Sequence, residues 1–424
     1  MKTLAVLSLG CKVNDYESIY VIDSLKNDFK IVDFNNKADV YVIFSCCVTN
    51  TAEAKTRKMI NKAKRLNNDA YICVVGCYPQ TKLNNPIFKD IDLLIGSKYK
   101  DKIPEFIKKR VKGNYIEDLK DVKFESMFIN DYPGKSRAFL KIQDGCNQYC
   151  SYCIIPYARG NERSEDHNKI LKIANDLSKN YKEIVLTGIH TGRYNDNGYK
   201  LIDLLKDLIK IDNLKTIRLS SIEMNEIDDE IIDLMSKSSK IAHHLHIPVQ
   251  SLNDNILNKM NRPYSLNEYK NKINNIRNKI NDISISTDLI VGFAYENDNI
   301  FNSFFKELDD IKFSFLHVFP YSIKTGTKAA SYDSQIDEHI KKERVNKIYD
   351  YQNKITFNFN KMFIDKNLEV LIENNDGNYS YGYSKNYIYT KVKGVYDTGD
   401  IISVHINDII DNILIGEYVS KWIF

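Results

Sequence analysis

Three cysteines at CxxxCxxC spacing, Cys146, Cys150 and Cys153, crowd the stretch QDGCNQYCSYCIIPYARG at residues 143–160. A structural zinc site closes a tetrahedron of four protein ligands, and an iron–sulfur cluster kept for electron transfer ordinarily takes four thiolates. Three thiolates leave one metal corner open to a substrate or cofactor, which favours chemistry over scaffolding. All eight cysteines lie before residue 154. Clustered thiols without a secretion signal point to metal binding in a reducing compartment, so a cytoplasmic location is expected. The opening MKTLAVLSLGCKVN resembles a short lipoprotein signal but runs straight into an amphipathic helical pattern at 15–26, and therefore reads as folded chain.

The elements around these cysteines decide where they meet. Residues 4–9, 39–44, 70–75 and 91–95 read as buried strands separated by helical patterns such as 51–67, which predicts an open parallel sheet with helices on both faces. Loops that follow parallel strands share one edge of the sheet, where ligands bind. Cys11 follows the first strand, Cys46 and Cys47 end the second, and Cys77 follows the third. Cys11, Cys46 or Cys47, and Cys77 can thus converge on a second three-cysteine site, while Cys73 in mid-strand reads as a small buried hydrophobe.

After a polar stretch at 115–135, six strand candidates follow at 138–142, 183–186, 216–219, 244–247, 284–291 and 314–318, each trailed by a helical pattern. Six βα units predict a partial barrel with its site at the carboxyl ends of the strands, and the CxxxCxxC loop follows the first of them. Thr187, Gly188, Ser220, Glu223, residues 248–251 and Gly292 fall at the other strand ends as pocket walls. His243, His244 and His246 read as packing residues of one strand. From about residue 367, short alternating runs broken by Asn, Gly and Asp predict a small antiparallel β-barrel, whose tyrosines and Lys385, Lys391 and Lys393 suit stacking and phosphate contacts on RNA.

A formal charge of +4 gives only a weak global field, so nucleic-acid contact must come from local patches. The basic stretches 98–112 and 341–347 are available, although such runs are ordinarily solvated helix faces. The longest apolar run, 40–48, is too short to span a bilayer, and no membrane association is expected.

Taken together these residues resemble the radical S-adenosylmethionine methylthiotransferases over essentially the whole chain. LGCKVN at 9–14, SCCVT at 45–49 and VGCYPQ at 75–80 are similar to that family's three motifs for an auxiliary cluster. The register of the middle motif places the ligand at Cys46, with Phe44 where the family has Asn. KIQDGC, YCIIPYARG, LTGIH, RLSSIE and HVFPYS are most similar to the branch that acts on threonylcarbamoyladenosine in tRNA. GFAYEN at 292–297 departs from the family's GFPGE turn.

The resemblance implies an α/β chain of three units: an N-terminal open parallel sheet (methylthiotransferase domain) over 1–114, a radical S-adenosylmethionine (βα)6 barrel over 132–364, and a TRAM-like β-barrel over 365–424. It implies two [4Fe-4S] clusters, one on Cys11, Cys46 and Cys77, the other on Cys146, Cys150 and Cys153. The second would chelate S-adenosylmethionine at its open iron, in a pocket including Thr187, Gly188, Ser220 and Glu223; the first would carry the sulfur. The C–H bond at carbon 2 of an adenine is beyond side-chain acids and bases, which is why a cofactor-borne radical is required. The expected substrate is threonylcarbamoyladenosine 37 in the tRNA anticodon loop, and the expected electron donor a flavodoxin or ferredoxin. A threonylcarbamoyl carboxylate calls for a cation, for which Arg159 and Lys141 are candidates. The alternatives are the same chemistry on isopentenyladenosine-37 or a ribosomal protein, and a non-catalytic RNA-binding electron carrier.

Overall fold

The computed structural model describes residues 1–421, so the last three residues of the expected third unit lie outside it. Strands β1 (Thr3–Ser8), β2 (Lys30–Ile31), β3 (Val40–Ser45), β4 (Tyr71–Gly76), β5 (Leu93–Ile95) and β6 (Gly113–Tyr115) form a parallel sheet in the order β2-β1-β3-β4-β5-β6. Every residue of β3 and β4 is buried, as expected for central strands covered on both faces. Alternation along β3 sends Val40, Val42 and Phe44 to one face and Tyr41 and Ile43 to the other. Helices α1 (Lys12–Leu25), α2 (Asn50–Leu66), α3 (Cys77–Thr81) and α4 (Ile103–Lys109) cover them. Val21, Leu25, Ile103 and Ile107 of α1 and α4 pack on the first face, together with the mid-strand Cys73; Ile60, Ala63 and Tyr78 of α2 and α3 pack on the second.

The middle of the chain forms the six-stranded half-barrel from β7 (Ala138–Lys141), β8 (Glu183–Thr187), β9 (Thr216–Leu219), β10 (His244–His246), β11 (Ser284–Val291) and β12 (Phe315–Pro320). All its ladders are parallel, and the bridges Ile217–Ile241 and Ser221–His246 join β9 to β10. Leu140, Leu186, Leu219, Leu289 and Val318 point outward into the core under the helices. The opposite face carries Phe139, Val185 and Arg218 in one register row, and Asp288 opposite His317 further round. Among the described residues no ladder joins β12 back to β7, and the barrel stays open there.

The N-terminal sheet spans that opening. On the β7 side, Tyr16 and Ile19 of α1 enter the barrel's own core, and Tyr16 Oη donates to the Met127 carbonyl at 2.5 Å. Beyond β12, Lys324 Nζ reaches Asn50 Oδ1 at 3.0 Å and Glu53 Oε1 at 2.8 Å, and Asn50 N donates to Ser322 Oγ at 2.9 Å. The polar connection at 115–135 also contributes to the barrel core, burying Met127, Ile129 and Tyr132.

Strands β13 (Asn367–Asn375), β14 (Tyr379–Ser384), β15 (Tyr389–Lys393), β16 (Ile401–Ile410) and β17 (Ile413–Lys421) close into a barrel in the order β13-β14-β15-β17-β16. The expected antiparallel pairing holds except between β15 and β17, which run parallel. The exception is topological: a closed ring of five strands cannot alternate direction at every neighbour. This barrel docks through the turn after β14, where Arg218 Nη1 donates to the Lys385 carbonyl at 3.0 Å and Asn386 Nδ2 to the Asp282 carbonyl at 2.6 Å.

Candidate active site

The CxxxCxxC loop leaves the carboxyl end of β7 and runs into helix α5 (Ile155–Arg159). Gly145 sits at φ +75°, and a Cβ there would come within 2.0 Å of the Asn161 carbonyl oxygen, which explains the glycine of QDGC. Cys146 N donates to Gly160 O, and Ser151 N to Met260 O, each at 3.0 Å, so the loop is held from both sides. Arg262 Nη1 donates to Cys150 Sγ at 3.5 Å, while the same guanidinium pairs with Glu223 and bonds Tyr264 Oη at 2.7 Å. Cys146 Sγ lies 3.5 Å from His190 Nδ1. Burial raises the Cys150 thiol against the opposing charge of Arg262, and burial together with Cys150 pushes Cys153 up to about 12. Buried thiols of this kind ionise when a metal centre takes them as thiolates.

Thr187, Gly188, Ser220 and Glu223 all stand at strand ends on the side of this loop. The Thr187 carbonyl accepts from Ile142 N at 2.9 Å. Gly188 packs on Gln143, whose Oε1 accepts from His190 N at 2.7 Å. Ser220 Oγ lies 3.0 Å from Thr191 Oγ1, and Glu223 reaches the loop through Arg262. His190 and Arg262 are not evident from their sequence positions, because only the folded barrel brings them against Cys146 and Cys150. Burial opposes the charge of His190, but hydrogen bonds with Cys146, Glu162 and Glu226 outweigh it and hold the imidazolium to about 12.

At the edge of the N-terminal sheet, Cys11 caps α1, Cys46 and Cys47 follow β3, and Cys77 opens α3. The first two loops touch: a Cβ on Gly10, at φ +105°, would lie 2.9 Å from Cys46 Sγ. The charge of Cys46 couples to both Cys11 and Cys77, and burial pushes its thiol up to about 12. Cys47 instead turns inward, 1% exposed in the core cluster. Its thiol lowers Cys77 to about 6 against burial, assisted by Arg159. Asn14, the last residue of LGCKVN, donates to the carbonyls of Leu9 at 2.7 Å and Ser45 at 3.1 Å and so ties the first two cysteine loops together.

Neither trio is drawn together as a site for a single ion. A tetrahedral zinc would draw its thiolates to about 3.8 Å apart, whereas among the described residues neither trio has its three sulfurs within 4.8 Å of one another. Cys146, Glu162 and His190 do come that close. An ion there would leave Cys150 and Cys153 without a role.

Between the two cysteine sites lies a buried ion network. Glu17 of α1 accepts from Lys100 Nζ at 2.8 Å and Lys141 Nζ at 2.9 Å, and Arg159 Nη1 reaches Glu17 at 3.3 Å and Asp144 at 3.1 Å. Arg159 Nη2 also donates to Asn14 Oδ1 at 2.6 Å. Arg159 and Lys141 are thus committed internally, one wholly buried and the other 3% exposed. This corrects the expectation that either reads a substrate carboxylate. The histidines pack: His244 is buried and His246 lies 5.3 Å from the His317 ring with its Nε2 3.2 Å from Asp288 Oδ1, while His243 Nδ1 pairs with Asp282 at 2.7 Å. The departure at GFAYEN is accommodated, because Glu296 accepts from Gly292 N at 2.7 Å and pairs with Arg344 at 2.8 Å.

On the C-terminal barrel, Tyr381 and Tyr389 stack at 6.1 Å, and Lys391 Nζ lies 4.0 Å over the Tyr379 ring. Tyr387 leaves that set and reaches the interior of the half-barrel, with its ring 4.7 Å from His244 and 4.9 Å from the Arg218 guanidinium.

An open parallel barrel with a three-cysteine loop at the end of its first strand defines a radical S-adenosylmethionine protein. Residues 140–308 match the Radical SAM superfamily, and residues 3–96 match uncharacterized protein family UPF0004. A radical S-adenosylmethionine methyltransferase from Kitasatospora setae, solved with cobalamin and a [4Fe-4S] cluster bound, has a similar fold: TM-score 0.53 and 12% identity over 76% of this chain and 75% of that one. The threonylcarbamoyladenosine tRNA methylthiotransferase of Bacillus subtilis is 37% identical over 96% of this chain and 94% of its own. The tRNA-2-methylthio-N(6)-dimethylallyladenosine synthase of Clostridium novyi is 31% identical over 99% of this chain and 97% of its own. The chain belongs to the tRNA methylthiotransferase family of radical S-adenosylmethionine enzymes, transferases that use S-adenosylmethionine and [4Fe-4S] clusters.

Proposed function

We propose that the protein converts threonylcarbamoyladenosine 37 of tRNA to its 2-methylthio derivative, within three units at 1–114, 132–364 and 365–424. In this reading Cys146, Cys150 and Cys153 hold one cluster and Cys11, Cys46 and Cys77 the other. The observation that carries it is the arrangement of two three-cysteine sites on either side of one buried ion network. When bound, the groups at these sites supply the electron that splits S-adenosylmethionine and the sulfur that is transferred. Arg262 and His190 place positive charge beside Cys150 and Cys146, which suits an anionic thiolate-bound group. The strand ends at Thr187, Gly188, Ser220 and Glu223 border the S-adenosylmethionine pocket. The N-terminal sheet lies across the barrel opening, a placement that restricts the access of water to a reactive species formed inside.

The substrate identity of the Bacillus subtilis relative, together with the KIQDGC, IPYARG and LTGIH motifs, favours threonylcarbamoyladenosine over isopentenyladenosine. Nucleoside mass spectrometry of tRNA from a strain lacking the gene, before and after complementation, tests it. The threonylcarbamoyl nucleoside should lose and regain its methylthio group; loss confined to the isopentenyl nucleoside would transfer the protein to the other branch. The reading includes a flavodoxin or ferredoxin as electron donor and a cytoplasmic location. No helix among the described residues is long and apolar enough to cross a membrane.

The C-terminal barrel is assigned the tRNA contact. Base–aromatic stacking contributes about 1–3 kcal/mol per base, so alanine at both Tyr381 and Tyr389 should weaken tRNA binding roughly tenfold or more. Lys391→Ala should instead flatten the salt dependence by about one unit of slope. Affinities measured across a range of salt concentrations separate the two effects.

A further inference from the structure

A cavity of about 260 Å³ opens where the three units meet, lined by Lys12, Lys135, Arg137, Arg218, Glu373 and Tyr387 among others. Four cationic side chains and a single carboxylate among its lining residues make it an anion site by charge. The cations are not equivalent. Arg218 is saturated by two contacts to Glu183, at 2.9 and 3.2 Å, and by the carbonyls of Ser384 and Lys385. Arg137 is shared between Glu183 at 3.3 Å and Glu373 at 2.7 Å, while its buried Nε makes no hydrogen bond. Lys12 has no hydrogen-bond or ion-pair partner among the described residues. It is exposed and lines the cavity together with Arg218 and Arg137. An unpaired ammonium facing two guanidinium groups is held in an electrostatically unfavourable place unless an anion joins them.

The location narrows the anion. Phe139, Val185 and Arg218 are the interior register row of β7, β8 and β9, so the cavity is part of the half-barrel's interior. Lys12 directly follows Cys11 at the start of α1, so the cavity and the second cysteine site are served by neighbouring residues of one helix. A base turned out of its strand brings its substituents into such an interior, while the backbone phosphates stay outside with the ribose. We propose that Lys12, seconded by Arg137, binds the carboxylate of the threonylcarbamoyl group and thereby selects this nucleoside over one with an apolar substituent. The proposal rests on the substrate reading given above. It assigns the role once expected of Arg159 and Lys141 to Lys12, which has no internal partner among the described residues, supported by Arg137, whose Nε makes no hydrogen bond.

The test uses the reconstituted holoenzyme and synthetic anticodon stem-loops in which the threonylcarbamoyl group at position 37 is either the free acid or its methyl ester. Affinity is read by fluorescence anisotropy and conversion in a single turnover, with iron content reporting whether the neighbouring Cys11 site still loads. A charge-assisted contact discriminates by about tenfold or more. The wild type should prefer the acid by that factor, Lys12→Met should bring the acid to the level of the ester, and Lys12→Arg should retain part of the preference. Equal weakening of acid and ester in Lys12→Met would mean that Lys12 holds a backbone phosphate, and would overturn the proposal. An acid-to-ester ratio near one in the wild type would overturn it whether or not Lys12→Met loads iron, and so would an unchanged preference in that variant. Failure of the wild type to convert either stem-loop would instead overturn the substrate reading.

Discussion

Alanine at Cys146, Cys150 and Cys153 together is expected to remove one of two clusters per chain and abolish formation of 5'-deoxyadenosine from S-adenosylmethionine. Alanine at Cys11, Cys46 and Cys77 is expected to remove the other cluster, leave that cleavage detectable and eliminate the methylthio product. The separation follows from the architecture, since the two trios belong to different sheets and different loops. Iron content and anaerobic product analysis check both arms, and full iron retention in both triple variants would refute the two-site assignment. Within the second trio the single variants should diverge. Cys46→Ala should lose the cluster, because its sulfur faces the Gly10 loop and couples to Cys11 and Cys77. Cys47→Ala should keep it, because Cys47 points into the core behind Cys77. Equal loss in the two would show that the pair shares the role.

Arg159→Met is expected to destabilise the protein by about 3–5 kcal/mol, the usual cost of leaving buried charges uncompensated. Glu17 and Asp144 would both lose a partner in a region closed to water. Stability should also depend on acid. Burial alone would raise the Glu17 carboxyl, but Lys100, Lys141 and Arg159 outweigh it and hold it at about 2, against 4.5 ordinarily. A carboxyl depressed in the folded state contributes stability that is present above its unfolded value and lost as pH falls through its folded one. Urea midpoints should therefore fall between about pH 4.5 and pH 2. Glu17→Gln should flatten that slope while lowering the midpoint at neutral pH. A wild-type slope in Glu17→Gln would assign the acid sensitivity to other carboxylates.

The cysteine loop and the six βα units were legible in the sequence because both are local signals: a spacing of three and two residues in one case, and short apolar runs closed by polar strand ends in the other. The convergence of Cys11, Cys46 and Cys77 was legible for a topological reason, since parallel strands deliver their following loops to one edge. Other features were not. The edge strands β2 and β6 have too few residues to show a period, and they are defined only by their pairing with β1 and β5. Lys141 and Arg159 look like free cations in a motif, and only the fold reveals Glu17 arriving from more than a hundred residues away. Lys12 stood inside a recognised motif, yet its side chain acquires meaning from Arg137, Arg218 and Tyr387, which belong to other units.

Helix α1 belongs to two cores at once: Val21 and Leu25 pack under the first sheet, while Tyr16 and Ile19 join the core between the barrel strands and their covering helices. During synthesis, residues 1–115 emerge first and can complete their sheet, but the opposite flank of α1 has nothing to cover it until 127–142 follow. Tyr16, Ile19 and Glu17 remain on the surface of the nascent chain until then, a greasy stripe around an acid that has Lys100 of its own unit while its lysine and arginine partners on the barrel are still untranslated. Maturation of the first unit is therefore tied to elongation through β7, and a severed N-terminal fragment would carry a sticky flank that the whole chain conceals.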